Sequence, residues 1–137
     1  MLLPALLGVV AVLMVSGVAA AVVGLRSGRG ATQIGAGGAV GACVAGLVVA
    51  LAALAGRVEG TLPLPWSMPS GAFRIGLDPL SSFFLVPMFL LAALAAIYAV
   101  GYFRPWRGRN PGRFWLFYNA LAASMAIVLT ARNGFLF

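Results

Sequence analysis

Charged residues are absent from four long stretches of the chain, residues 2–25, 34–55, 79–103 and 114–130. At about 1.5 Å of rise per residue, a helix of 20 or so apolar residues crosses a hydrocarbon core of about 30 Å. Each stretch is long enough, the fourth only just. The pattern therefore predicts an all-α polytopic membrane protein with four transmembrane helices in a single membrane domain, residues 1–137. A cleaved signal peptide is the rival reading of the first stretch. Such peptides place positive charge before a shorter apolar run, whereas here Arg26 and Arg29 follow it, so a span is favoured.

The segments between the spans differ in kind. Residues 56–78 hold Pro63, Pro65, Pro69, Gly60, Gly71 and Gly76, a density that no helix interior tolerates. Leu62, Leu64 and Trp66 alternate with proline, and Phe73, Ile75 and Leu77 alternate with Arg74 and Gly76. The two pieces are expected to meet as a short extended hairpin across Pro69, Ser70 and Gly71. Pro79 suits the first position of the third helix, where its missing N–H needs no partner. Pro87 lies inside that helix, where it removes the hydrogen bond to the Phe83 carbonyl and is expected to kink it. Tyr98, Tyr102, Phe103 and Trp106 form an aromatic belt at the helix exit. At the far end, Ala131-Arg132-Asn133-Gly134 reads as a turn and residues 134–137 as the start of a further span, so the chain reads as an amino-terminal fragment.

Composition reinforces this picture: 63% of residues are hydrophobic and 8% charged, against about 25% charged in an average soluble domain. All nine basic residues are arginine, opposed only by Glu59 and Asp78. The net charge of +7 raises the question of nucleic acid, but the arginines flank apolar runs instead of forming a basic face, and nucleic-acid binding is set aside. Arg26, Arg29, Arg104, Arg107, Arg109 and Arg113 fall in the first and third loops, and the second loop is neutral. The positive-inside rule then places both Arg-rich loops in the cytoplasm and the amino terminus outside, in the inner (plasma) membrane. The arginines from 104 to 113 also suit anionic lipid headgroups or a cytoplasmic partner.

Histidine is absent, and the single cysteine, Cys43, lies within an apolar span. Haem, zinc and iron–sulfur ligation have no ligand set here. Neither a cofactor nor a catalytic centre is expected, and Cys43 reads as a small apolar residue. In the second span Gly37 and Gly41, Gly38 and Ala42, and Ala42 and Gly46 are each four apart, the spacing of a helix-packing surface. Residues 35–41 imitate a dinucleotide loop, yet Val40 occupies the last glycine position and no strand precedes them.

With the spans placed, Gly76-Leu77-Asp78-Pro79-Leu80-Ser81-Ser82-Phe83-Phe84 resembles the signature that opens the third helix of antiporter-like membrane subunits. Gly101-Tyr102-Phe103-Arg104 at the end of that helix, residues 117–125 (FYNALAASM) and residues 131–137 (ARNGFLF) continue the likeness. The chain most resembles the amino-terminal part of the hydrogenase-4 component B family, the large proton-translocating subunit of formate hydrogenlyase and hydrogenase-4 complexes. More distantly it is similar to the antiporter-like subunits of NADH:quinone oxidoreductase and of multi-subunit sodium/proton antiporters. The resemblance implies proton transport coupled to electron transfer in other subunits, with other membrane subunits of the complex as partners. In the family, a Glu on the next helix and later Lys or His residues relay protons, and none of these is present in this sequence.

Five polar residues remain to be weighed. Asp78, before Pro79, reads as a helix cap in preference to a proton relay. Asn119, Ser124 and Thr130 read first as partners in hydrogen bonds and second as walls of a hydrated path, with Asn119 the best path-facing candidate. Arg132 is expected at the membrane interface. A cation/proton antiporter subunit and a structural membrane anchor stand as alternative functions.

Overall fold

The computed structural model describes residues 2–56, 60–68, 71–103 and 111–131. Four helices, α1 (Leu2–Gly24), α2 (Gly28–Gly56), α3 (Pro79–Phe103) and α4 (Gly112–Thr130), are joined between α2 and α3 by a hairpin of β1 (Gly60–Met68) and β2 (Gly71–Leu77). All four helices are long and apolar enough to cross a membrane, and the fold is that of an all-α polytopic membrane protein.

Two helix starts differ from the hydropathy reading. The apolar run of the second span begins at Ile34, but α2 begins at Gly28 and carries Arg29 in its first turn. The reason is local: Ser27 Oγ accepts the Gly30 N–H at 3.2 Å and the Ser27 carbonyl accepts the Ala31 N–H at 3.0 Å, which caps the helix upstream of its apolar part. Likewise α4 begins at Gly112, ahead of Arg113. Hydropathy marks where a side chain meets lipid, whereas the helix begins where its first N–H groups find acceptors.

The hairpin is antiparallel, pairing Gly60 with Leu77 and Leu62 with Ile75. Its register shifts between Pro63 and Ser67, where three residues of β1, Leu64, Pro65 and Trp66, stand opposite Phe73 alone. Pro65 has no N–H for the ladder, and a bulge is where a strand accommodates such a residue. Pro69 and Ser70 of the expected turn lie outside the described residues, and Met68 pairs with Gly71 on either side of them.

Packing follows a 3–4 spacing. The buried face of α1 is Leu3, Leu6, Val9, Leu13, Gly17 and Ala20; that of α2 is chiefly Ala and Gly. The two helices lie along each other, with α3 on α2 and α4 on α1. Large apolar side chains point outward, among them Val15, Val22, Val48, Leu91, Ile97 and Phe117. A soluble bundle reverses this arrangement. In lipid, small residues inside allow helices to approach closely while large ones cover the surface. α3 runs through Pro87 as one continuous helix. The start of α2 meets the start of α4, because a Cβ on Gly28 would lie 3.3 Å from Pro111 Cδ. The first connection and the entry to α4 thus share one end of the bundle.

Candidate functional site

Two polar side chains of the spans, Ser16 and Asn119, meet at one place, the seam between α1, α2 and α4. Asn119 of α4 is fully buried there. Its Nδ2 donates to Ser16 Oγ of α1 at 3.2 Å and to the Gly35 carbonyl of α2 at 3.3 Å, so one side chain ties three helices. Ser16 in turn donates its own proton to the Leu13 carbonyl at 3.1 Å, leaving its oxygen free to accept.

Three glycines allow this approach. A Cβ on Gly17 would stand 3.1 Å from Asn119 Cβ, one on Gly35 would overlap Trp115, and one on Gly38 would overlap Ser16. Farther along α2, a Cβ on Gly46 would stand 2.6 Å from Phe89 Cζ of α3. Each of these glycines is a point of close contact between helices. Of the five small residues expected on the packing face, Gly38, Ala42 and Gly46 belong to this seam and its continuation. Gly37 and Gly41 do not: both are exposed, and a Cβ at either meets nothing within 4 Å. Both faces of α2 carry small residues, and its neighbours occupy only one of them.

A second tie joins α3 and α4, where the Tyr118 hydroxyl donates to the Ala92 carbonyl. The Tyr118 ring packs at 5.7 Å and 5.8 Å from the rings of Trp115 and Phe114. Trp115 is itself fully buried beside Ala36, Ala39, Ala96 and Ala99. Cys43 is buried among apolar residues, and among the described residues no group of His, Cys, Asp or Glu is arranged to hold a metal.

Asp78 stands where β2 hands over to α3. Its Oδ1 accepts the Ser81 N–H at 2.8 Å and its carbonyl accepts the Ser82 N–H at 2.9 Å, the geometry of a helix N-cap. Leu77, just before it, is buried, as is Ser82 one turn into the helix. The other two polar candidates of α4 are satisfied within their own helix. Ser124 Oγ donates to the Leu121 carbonyl on the exposed face, and buried Thr130 Oγ1 lies within hydrogen-bond distance of the Ala126 and Ile127 carbonyls. Arg132 lies outside the described residues, as do Arg104, Arg107 and Arg109. Of the expected aromatic belt, Tyr98 and Tyr102 stack at 6.2 Å on the outer face of α3.

The structure thus brings Asn119 into a site with residues that sequence reasoning passed over, Ser16, Gly17, Gly35 and Trp115, and leaves Asp78, Ser124 and Thr130 apart from it. The available signal for α1 was the Ser16-Gly17 pair, the one place where a polar and a small residue adjoin in a run of Leu, Val and Ala. No protein-family model matches the chain, and no curated protein matches it.

Proposed function

We propose that the chain is the amino-terminal part of a proton-translocating, antiporter-like membrane subunit of a membrane-bound oxidoreductase complex, of the hydrogenase-4/formate hydrogenlyase or NADH:quinone oxidoreductase type. It sits in the plasma membrane with its amino terminus extracytoplasmic, and electron transfer takes place in other subunits. The observation that carries this reading is the run from Gly76 to Phe84, which resembles that family's helix-opening signature and which here has a physical use. Asp78 caps α3 at 2.8 Å, so the strand-to-helix corner is held by the motif's own acid.

The described spans contribute scaffold more than relay. The two arginines within described helices, Arg29 and Arg113, lie in first turns and are exposed. Asn119 and Tyr118 can orient water but do not exchange protons near neutral pH. Proton relays need ionisable side chains at depth or water held by them, so in this reading the relay belongs to further helices packed against this bundle.

The reading is tested by tagging the chain in its native membranes, solubilising the complex gently and identifying the subunits that co-purify. Subunits carrying iron–sulfur or hydrogenase chemistry are expected. Recovery with cation/proton antiporter subunits alone would replace the proposal by the antiporter function, and recovery of the chain by itself would remove both.

A further inference from the structure

We propose that the end of the bundle where α2 and α4 begin is a binding surface for anionic phospholipid headgroups, formed by Arg26, Arg29 and Arg113. The inference rests on where the fold puts charge. It depends neither on the proton-transport reading nor on which side of the membrane this end faces.

In the sequence these arginines belong to two separate connections, and the fold brings them together. A Cβ on Gly28 would lie 3.3 Å from Pro111 Cδ. Arg26 and Arg29 stand two residues and one residue from Gly28, and Arg113 stands two from Pro111. With about 3.8 Å between consecutive Cα atoms, the Cα of each arginine is within roughly 8 Å of that of Gly28 or Pro111. Charges so placed are only partly screened from one another, the screening length at physiological ionic strength being about 8 Å. All three arginines are exposed.

No acid of the described residues offsets them. The first turns of α2 and α4 contain none, although a helix favours acid there because its N-terminus carries about half a positive charge. Each of these turns carries an arginine instead, so two helix dipoles add to the side-chain charges. Asp78, the one acid among the described residues, caps the start of α3. That is the opposite end of the bundle: Ala96 and Ala99, near the close of α3, pack with Trp115, one turn into α4.

A membrane surface suits this end better than an acidic soluble protein, because the same end carries side chains fitted to headgroup depth. Tyr98 and Tyr102, in the last turns of α3, stack on each other and are exposed, the placement of an interfacial aromatic pair. Leu25, beside Arg26, is 80% exposed, an apolar side chain that acyl chains cover and water does not. Arginines at this level meet lipid phosphates, and each adds to the attraction of an anionic leaflet.

The test uses the whole chain in phosphatidylcholine vesicles containing trace spin-labelled lipid, with electron spin resonance reading the fraction of label immobilised at the protein surface. Labelled phosphatidylglycerol is expected to associate several-fold more strongly than labelled phosphatidylcholine, and the preference should shrink in about 1 M salt. Most of it should be lost in Arg26→Gln/Arg29→Gln/Arg113→Gln with helix content unchanged by circular dichroism, and less in Arg104→Gln/Arg107→Gln/Arg109→Gln. Equal association of the two labels with the wild-type chain overturns the proposal without any variant having to fold, and is the outcome expected if the arginines serve an acidic protein. A full preference kept by the folded first variant, or lost only in the second, also overturns it, because the headgroups would then be held by the arginines from 104 to 109.

Discussion

Asn119 of α4 and Ser16 of α1, 103 residues apart, are joined by a hydrogen bond of 3.2 Å in the interior of the bundle. In hydrocarbon such a bond joins helices that no hydrophobic force drives together, and measured values average about 0.6 kcal/mol, with a maximum near 1.7. A double-mutant cycle of Ser16→Ala and Asn119→Leu, followed by unfolding in mixed micelles, should yield a coupling energy in that range. Simple additivity of the two changes would show that the bond carries no stability.

The two glycine faces of α2 should respond oppositely to alanine. Gly35→Ala drives a Cβ into Trp115 and Gly46→Ala drives one to 2.6 Å from Phe89 Cζ, so each should cost about 1–3 kcal/mol by overpacking. Gly37→Ala and Gly41→Ala meet open space. By helix propensity alone they should be neutral or gain up to about 1 kcal/mol. The same micelle unfolding assay ranks the four variants, and an equal loss in both pairs would show that the outer face is packed as well.

Asp78 should act through its capping oxygen. Asp78→Asn keeps an acceptor for the Ser81 N–H and, on the proposed function, should preserve assembly and proton translocation in the full complex, while Asp78→Ala should cost about 1 kcal/mol of local helix stability. Loss of translocation in an assembled Asp78→Asn complex would assign the function to the charge instead.

The hairpin between α2 and α3 should be extracytoplasmic, from the placement of arginine in the other two loops. Cys43 is buried and the only thiol, so a Cys43→Ala background carrying Ser70→Cys has one reactive position. In intact cells it should be labelled by an impermeant thiol reagent. Labelling only after lysis would reverse the topology.

Reconstituted alone in liposomes with an internal pH dye, the chain should dissipate an imposed proton gradient no faster than empty vesicles. Its sequence contains no Lys or His, and its acids, Glu59 and Asp78, fall outside the four charge-free stretches of the sequence. Faster decay that is abolished by Asn119→Leu would place a proton path within these four helices.

What the sequence determined by itself is local. Whether a run of residues meets water or lipid depends on its own side chains, so the number of spans, their class and the hairpin were legible from charge-free stretches and the proline pattern. The Asp78 cap was legible too, because the capping oxygen and the Ser81 N–H that donates to it lie three residues apart. The helix starts were less so, since Ser27 begins α2 before its apolar run does.

Tertiary structure decided which faces meet. Residues 37 and 41 and residues 38, 42 and 46 offer stripes of small side chains with the same spacing on one helix, and no property of α2 alone ranks them. The choice is made by what arrives from elsewhere: Ser16 against Gly38, Trp115 against Gly35 and Phe89 against Gly46. The same holds for Asn119, whose amide is merely polar in the sequence. It becomes a tie between three helices only because residues 16 and 35, distant in the chain, bring two acceptors to one point in the buried interior of the bundle.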